Sequence, residues 1–232
     1  MIQANCRSRF TAEDFSFIVR VLSTSPSNEI SLVDLLSDVE TRDVILDHDR
    51  LRDVVLTDAR NLSISPHLYF YILSRAVLKE TVLNDRAVSD YVASLLVAFS
   101  SARQMQSPVG ADEPRSRVYL TDLLLALRQA NDQQTFLIRA HLGNYSLFIS
   151  GILHENVRRR QLRGAPDVSF YEEVGSQSYK VAAEHNVAKR CDLSAVFHDL
   201  GDRFHEVRLA LNRMVDQFIH LGDDPHLPVF SA

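Results

Sequence analysis

The chain has 232 residues, of which 46% are hydrophobic and 24% are charged, and this composition excludes an intrinsically disordered protein. The net charge of −5 argues against broad electrostatic binding of nucleic acid or acidic membranes, although it leaves a local basic patch open. Two distant cysteines, Cys6 and Cys191, provide no disulfide framework, and no apolar run reaches the roughly 20 residues of a spanning helix, so we expect a soluble cytoplasmic protein without a membrane span.

Scarce turn residues predict an all-α fold. There are only seven glycines and seven prolines, and neither Asn-Gly nor Asp-Gly occurs to mark a β-hairpin. The helices predicted in the first part of the chain begin at side chains that can cap them: Thr11 with Asp14, Ser31 with Asp34, Ser65 before Pro66, and Asn84 or Asp85. We therefore predict a bundle of about eight to ten helices with no significant β-sheet.

A polar, punctuated segment divides the chain. Residues 103–117 contain Pro, Gly, Gln, Ser and charged residues, which is typical of a linker or of a long surface loop. This segment separates an N-terminal helical half, residues 1–102, from a C-terminal helical half, residues 118–222. We favour one joint core for the two halves, followed by an extended tail at residues 223–232.

Two long helical segments dominate the C-terminal half. The first runs from Asp132 to about Leu162, and Gly143 with Asn144 can interrupt it. The last and longest helix is predicted at residues 193–221, with Asp192 as its cap. Its apolar residues recur every three or four positions and are expected to face the core: Phe197, Leu200, Phe204, Val207, Leu211, Val215 and Phe218.

The sharpest pattern of candidate metal ligands lies on that last predicted helix. His198, Asp202 and His205 are spaced four and then three residues apart, so a single helix would carry them on one face. Two imidazoles and a carboxylate can bind zinc, iron or manganese, and Glu172 or Glu173 can complete the set from a neighbouring helix. The simpler interpretation is a solvated flank, because each histidine directly follows a residue of the apolar stripe.

The helix predicted after Asp167 has one side of small residues. Gly175 lies on that side, and Tyr171 and Tyr179 lie at its margin. Glycine inside a helix costs about 1 kcal/mol relative to alanine, so close packing of a neighbouring helix is the favoured explanation. A ligand slot beside Gly175 is the alternative.

A polar group interrupts the apolar stretch that ends at Gly151. His141, Asn144 and Tyr145 must find hydrogen-bond partners if they are buried, because each unpaired buried group costs about 1–3 kcal/mol. A buried polar cluster of this kind is a candidate site. The alternative is a helix break whose exposed backbone groups are satisfied by the local Asn and His side chains.

Four arginines occur within six residues, at Arg158, Arg159, Arg160 and Arg163. Such a cluster can hold a phosphate group or an acidic partner. The favoured explanation is a solvated helix C-terminus, where positive charge complements the helix dipole, because the net charge is −5 and no aromatic residues are interleaved with the arginines.

The sequence leaves three functions open. The chain carries no serine-nucleophile, nucleotide-binding or zinc-ribbon signature, which favours a non-catalytic protein that forms a homodimer or binds a protein partner, with no cofactor. The first alternative is a metal-dependent helical enzyme of oxygenase or hydrolase type that uses iron, manganese or zinc. The second is a protein that binds a phosphate-bearing ligand or nucleic acid through the arginines, with nucleic acid disfavoured by the net charge.

Overall fold

A computed structural model describes residues 1–57, 63–100 and 120–218. Within these ranges it contains thirteen α-helices and no strand, which confirms the all-α prediction. The number of helices exceeds the prediction because several long predicted segments are divided. The predicted linker at residues 103–117 and the predicted tail at residues 223–232 lie outside the described residues, and the division into two halves stays a prediction.

The first six helices follow a 3₁₀ turn at Arg7–Arg9 and are α1 Ala12–Leu22, α2 Pro26–Ser37, α3 Val39–Leu46, α4 Asp49–Thr57, α5 Pro66–Leu78 and α6 Arg86–Ser100. The others are α7 Leu120–Ala126, α8 Asp132–Gly151, α9 His154–Gln161, α10 Val168–Glu184, α11 Asn186–Arg190, α12 Ser194–Asp202 and α13 Phe204–Phe218. Buried apolar side chains from both groups form one hydrophobic cluster. Within it, α5 packs against α6 and α13, and α10 packs against α8 and α12. None of the described helices is long and apolar enough to cross a membrane.

Local capping chemistry explains most helix starts. Thr11 and Asp14 form the predicted capping box at α1, in which each side chain accepts a hydrogen bond from the other residue's backbone N–H. Ser65 caps α5 through its side-chain oxygen, as predicted. The start predicted at Ser31 is wrong, because Ser31 lies inside α2 and the cap of that helix is Ser25.

The last predicted helix is interrupted at Arg203, so the prediction of one continuous helix is wrong. A tertiary hydrogen bond accompanies the break: Ser176 Oγ of α10 donates to the carbonyl of Gly201 at 2.6 Å, in the last turn of α12. Asp192 does not cap α12, since its φ is 53° and the residue before the helix is Leu193. By contrast, α8 continues unbroken through Gly143 and Asn144 and ends at Gly151.

Three arginines and three aspartates join the N-terminal turn to α3, α5 and α6: Arg7, Arg75 and Arg86 with Asp43, Asp47 and Asp90. The backbone N–H of Arg7 donates to Asp90 Oδ1 at 2.8 Å, and its Nε donates to Asp90 Oδ2 at 3.1 Å. The guanidinium of Arg7 also lies 5.6 Å from the ring centre of Tyr71. The turn before α1 is therefore held against α3 and α6 by charge-assisted hydrogen bonds, and against α5 by the contact between Arg7 and Tyr71.

Asp47 connects two of these arginines. Arg75 Nε and Nη2 donate to its two carboxylate oxygens at 2.7 and 3.1 Å, and Arg86 Nη2 donates at 2.9 Å. Partial burial alone would raise the pKa of Asp47, but the hydrogen bonds and charges of Arg75 and Arg86 outweigh it and lower the pKa below its ordinary value. The Arg75 side chain is buried, and this carboxylate compensates its positive charge.

We expect Asp47→Asn to lower the free energy of unfolding by about 3 kcal/mol at neutral pH, because a buried guanidinium loses its counter-charge. A depressed pKa means that this stabilisation is present above about pH 4, where an unfolded Asp is ionised, and is lost as the pH falls through the lower folded-state pKa. The difference between wild type and variant should therefore narrow in acid. Urea denaturation at a series of pH values measures it.

Asp53→Asn is the matched control, because the Asp53 carboxylate is exposed and pairs with the neighbouring Arg52. We expect this control to change stability by less than about 0.5 kcal/mol. Equal effects of the two substitutions would contradict a structural role for the Asp47 ion pairs.

Candidate functional site

A buried asparagine joins three helices at what we call the polar junction, formed by Tyr91, Asn144 and Tyr179. The hydroxyls of Tyr91 on α6 and Tyr179 on α10 both donate to Oδ1 of Asn144 on α8, at 2.8 and 2.7 Å. Burial raises the pKa of both tyrosines, so each keeps its proton and remains a donor. The structure thus brings together Asn144 and Tyr179, which belong to two separate features of the sequence analysis, and adds Tyr91, a partner that the sequence did not reveal.

Two glycines allow the helices to meet at this junction. A Cβ atom on Gly143 would lie 2.8 Å from the Tyr179 ring, and one on Gly175 would overlap the ring of Phe204 and lie 2.9 Å from Ser146 Cβ. The space beside Gly175 is therefore filled by side chains of the protein itself. Close packing of α8, α10 and α13 occupies the position where the sequence allowed a ligand slot. Tyr171 lies one helical turn before Gly175. It is buried, and the edge of one ring faces the other in its contact with Phe170.

His141 lies in an aromatic environment one turn before Tyr145 on α8. Its ring stacks on Phe99 with 6.0 Å between ring centres and lies 6.3 Å from the Tyr145 ring. Burial lowers the pKa of His141 to about 4, so the imidazole is neutral at pH 7. Its Nε2 atom has no hydrogen-bond partner among the described residues.

Four of the five candidate metal ligands lie in three separate ion pairs. His198 Nε2 lies 2.8 Å from Glu184, Asp202 lies 2.9 Å from Lys180 Nζ, and His205 Nδ1 lies 2.8 Å from Glu172. The break at Arg203 also places His198 and His205 on different helices. Glu173 is exposed on α10. Across the described ranges, no group of three or more His, Cys, Asp or Glu side chains could hold a metal ion.

Glu172 instead belongs to a chain of polar contacts that the sequence did not reveal. Arg208 Nε donates to Glu172, and Arg208 Nη1 donates to Asn212 Oδ1 at 2.7 Å. Asn212 Nδ2 then donates to the carbonyls of Ser150 and Gly151, at 3.0 and 2.7 Å. This chain satisfies backbone carbonyls at the end of α8. The available signal was a polar pair, Arg208 and Asn212, four residues apart beside an apolar helical stripe.

An open surface depression of about 1080 Å³ lies where α8 begins and α11 passes beside it. Asp132, His185, Lys189 and Arg190 are among the residues that line it. Its lining carries both signs of charge: Asp132 lies 3.1 Å from His185 Nε2, and Lys189 Nζ lies 3.9 Å from Glu184, which is outside the lining. Side chains of mixed charge on an open surface define no particular ligand.

The four predicted anion-binding arginines lie at the exposed C-terminal end of α9 and just beyond it. Arg158 pairs with Glu155 at 3.0 Å, and Arg159 donates to Asn156 at 2.8 Å. Arg160 and Arg163 have no ion-pair partner in the part of the chain that the structure describes. Every residue from 158 to 164 is exposed.

Sequence reasoning missed a group of exposed apolar side chains on α2 and α3. We call these side chains the α2–α3 surface, and they are Ile30, Val33, Leu35, Val39 and Val44. Leu35 is two residues from Val33 and so lies on a different side of α2. These are five of the eleven large hydrophobic side chains that are exposed in the described residues, so the exposure is concentrated on these two helices. Leu36 is the one buried side chain among those described in α2. The signal in the sequence was an apolar run from Ile30 to Leu36 that is interrupted only by Ser31 and Asp34.

Comparison with known proteins gives no indication of function. No protein-family model, no curated protein and no solved structure matches the chain. Function must therefore be argued from the surfaces and contacts described above.

The polar junction predicts that replacing the acceptor, Asn144, lowers stability more than replacing one of the two tyrosine donors. Asn144→Leu would leave two buried tyrosine hydroxyls without an acceptor, and we expect it to lower the free energy of unfolding by about 3 kcal/mol. Tyr179→Phe alone should cost about 1 kcal/mol, because Tyr91 still satisfies the amide oxygen. Urea denaturation measures both values.

The triple variant Asn144→Leu, Tyr91→Phe, Tyr179→Phe is the internal control, since it removes the acceptor and both donors together. It should be more stable than Asn144→Leu alone. A triple variant that is less stable than the single one would show that the hydrogen bonds are not what makes Asn144 necessary.

Proposed function

We propose that the chain is a non-catalytic protein-binding module whose α2–α3 surface docks a basic, amphipathic helix of a partner protein. The observation that carries this proposal is the concentration of exposed Ile, Val and Leu side chains between residues 30 and 44. Monomeric soluble proteins rarely leave such clusters in water, and larger exposed apolar patches mark interaction sites.

The apolar side chains belong to two consecutive helices that contact each other, so they are presented on a preformed support. Ile30 and Val33 are one helical turn apart on α2, and Val39 begins α3. Burying a Val or Ile side chain contributes about 1.5–3 kcal/mol, so a few of them supply the energy of a moderate complex. Helical partners bind such surfaces through apolar residues at spacings of three and four.

The charge around these side chains selects the partner. Residues 26–44 contain five acids and one basic residue, Arg42. Four of the acids are exposed: Glu29, Asp34, Asp38 and Glu40. A second copy docked through the same surface would bring acids against acids, whereas a helix with Lys or Arg beside its apolar stripe would be complementary. The homodimer expected from the sequence is therefore the competing occupant.

We expect a fluorescent peptide helix with a leucine stripe flanked by lysines to bind the full chain more tightly than the same peptide with glutamates. The difference should be about tenfold at low ionic strength and should shrink as salt screens the acids. Val33→Ser should weaken binding of the lysine peptide about tenfold, because one apolar contact is lost. Fluorescence anisotropy measures all three affinities.

Val181→Ser is the matched control, because Val181 is also an exposed valine but lies on α10. It should leave the affinity unchanged. Equal binding of both peptides, or equal affinity of Val33→Ser and wild type, contradicts the proposal. So does a dimer in sedimentation that Val33→Ser dissociates, because that result assigns the surface to a second copy.

A further inference from the structure

An exposed leucine lies among the arginines that follow α9. We call residues 158–164 the arginine tip. Leu162 is 89% exposed, which makes it the most exposed large hydrophobic side chain in the described ranges. An apolar side chain surrounded by cations at a protruding position differs from both a core residue and an ordinary solvated helix end.

Every residue around this leucine at the end of α9 is exposed. Arg158 and Leu162 are four residues apart, as are Arg159 and Arg163, so the members of each pair are neighbours on the helix surface. The buried residues of α9 are His154 and Val157, whereas residues 158–164 are all exposed. Leu162 and the four arginines are therefore all open to solvent at this end of the helix.

A regular helix-ending turn closes α9 at the tip. Gly164 has a φ of 84°, and the N–H groups of Gly164 and Ala165 donate to the carbonyls of Gln161 and Arg160 at 3.0 and 3.2 Å. This is the hydrogen-bond pattern of a glycine-terminated helix. Leu162 is thus exposed by a defined turn.

The charge of the tip is locally uncompensated. Residues 156–166 contain four arginines and no acid. The nearest acids in the chain have their own contacts: Glu155 pairs with Arg158, and Asp167 accepts from the backbone of Phe170 to cap α10. Arg159, Arg160 and Arg163 have no carboxylate partner in the part of the chain that the structure describes.

We propose that the arginine tip binds the surface of an anionic phospholipid bilayer. The guanidinium groups would contact lipid phosphates, and Leu162 would enter the interfacial layer between them. Nucleic acid offers the same phosphates but no apolar layer for Leu162, and residues 158–164 contain no aromatic side chain for base stacking. The net charge of −5 opposes contact through the rest of the chain, so the tip is the part of the protein that would face such a surface. This inference is independent of the α2–α3 surface.

Flotation of the full chain with lipid vesicles tests the proposal. The chain should partition onto phosphatidylcholine vesicles that contain phosphatidylserine, should not partition onto pure phosphatidylcholine, and should dissociate as salt rises. The double variant Arg159→Gln, Arg163→Gln should reduce the partition coefficient about 30-fold, from the usual contribution of each basic residue near such a surface. Leu162→Ser should reduce it about tenfold.

Matched variants elsewhere separate the tip from general effects of charge and hydropathy. Arg50→Gln with Arg190→Gln makes the same charge change at exposed arginines, and Leu125→Ser removes an exposed leucine of α7. Both should retain wild-type partitioning. Failure to bind the anionic vesicles, or equal losses in the tip and matched variants, overturns the proposal. Binding to double-stranded DNA with the same dependence on Arg159 and Arg163, in the absence of vesicle binding, also overturns it.

Discussion

The arrangement of the C-terminal helices depends on one amide oxygen that accepts two buried tyrosine hydroxyls. Asn144 Oδ1 accepts hydrogen bonds from the hydroxyls of Tyr91 on α6 and Tyr179 on α10. A shift of α8 along either neighbouring helix would therefore leave a buried hydroxyl without its acceptor. Gly143 makes this geometry possible by admitting the Tyr179 ring. At the far end of α8, Asn212 and Arg208 connect its last carbonyls to Glu172, so α8 is fixed at two levels.

These contacts give a structural role to several of the polar residues singled out in the sequence. Asn144 and Tyr179 satisfy each other, and Gly175 is covered by Phe204 and Ser146. Glu172 is engaged by Arg208 and His205. The polar groups of this region serve helix packing, and the features that remain available to a partner lie on the outside. They are an apolar, acidic surface on α2 and α3 and a basic tip after α9.

Sequence reasoning succeeded where structure is local. The caps at Thr11 and Ser65 and the apolar stripe from Phe197 to Val215 were predictable, because capping and helical periodicity act within one or two turns. The break at Arg203 was not, since it accompanies a contact between Ser176 and Gly201 on different helices. The metal hypothesis required His198 and His205 on one helix and so depended on a continuity that tertiary packing removed.

The partner of a polar residue was likewise beyond a single sequence. The spacing of Asn144 and Tyr179 gave no indication of Tyr91, and nothing in the sequence assigned Asp47 to Arg75 and Arg86. Exposure was the largest omission, because a run such as Ile30 to Leu36 is equally consistent with a buried helix until its neighbours are known. Burial is a property of the whole fold, so the α2–α3 surface emerged only from the structure.

The measurement that tests the central claim most directly is a map of where a basic amphipathic helix binds. Amide NMR spectra of the full chain, recorded while a leucine-striped, lysine-flanked peptide is added, report the response of each backbone position. The account predicts that the shifted resonances belong mainly to residues 28–44 and that α8, α10 and α13 stay unchanged. Shifts centred on other helices, with residues 28–44 unaffected, would contradict it.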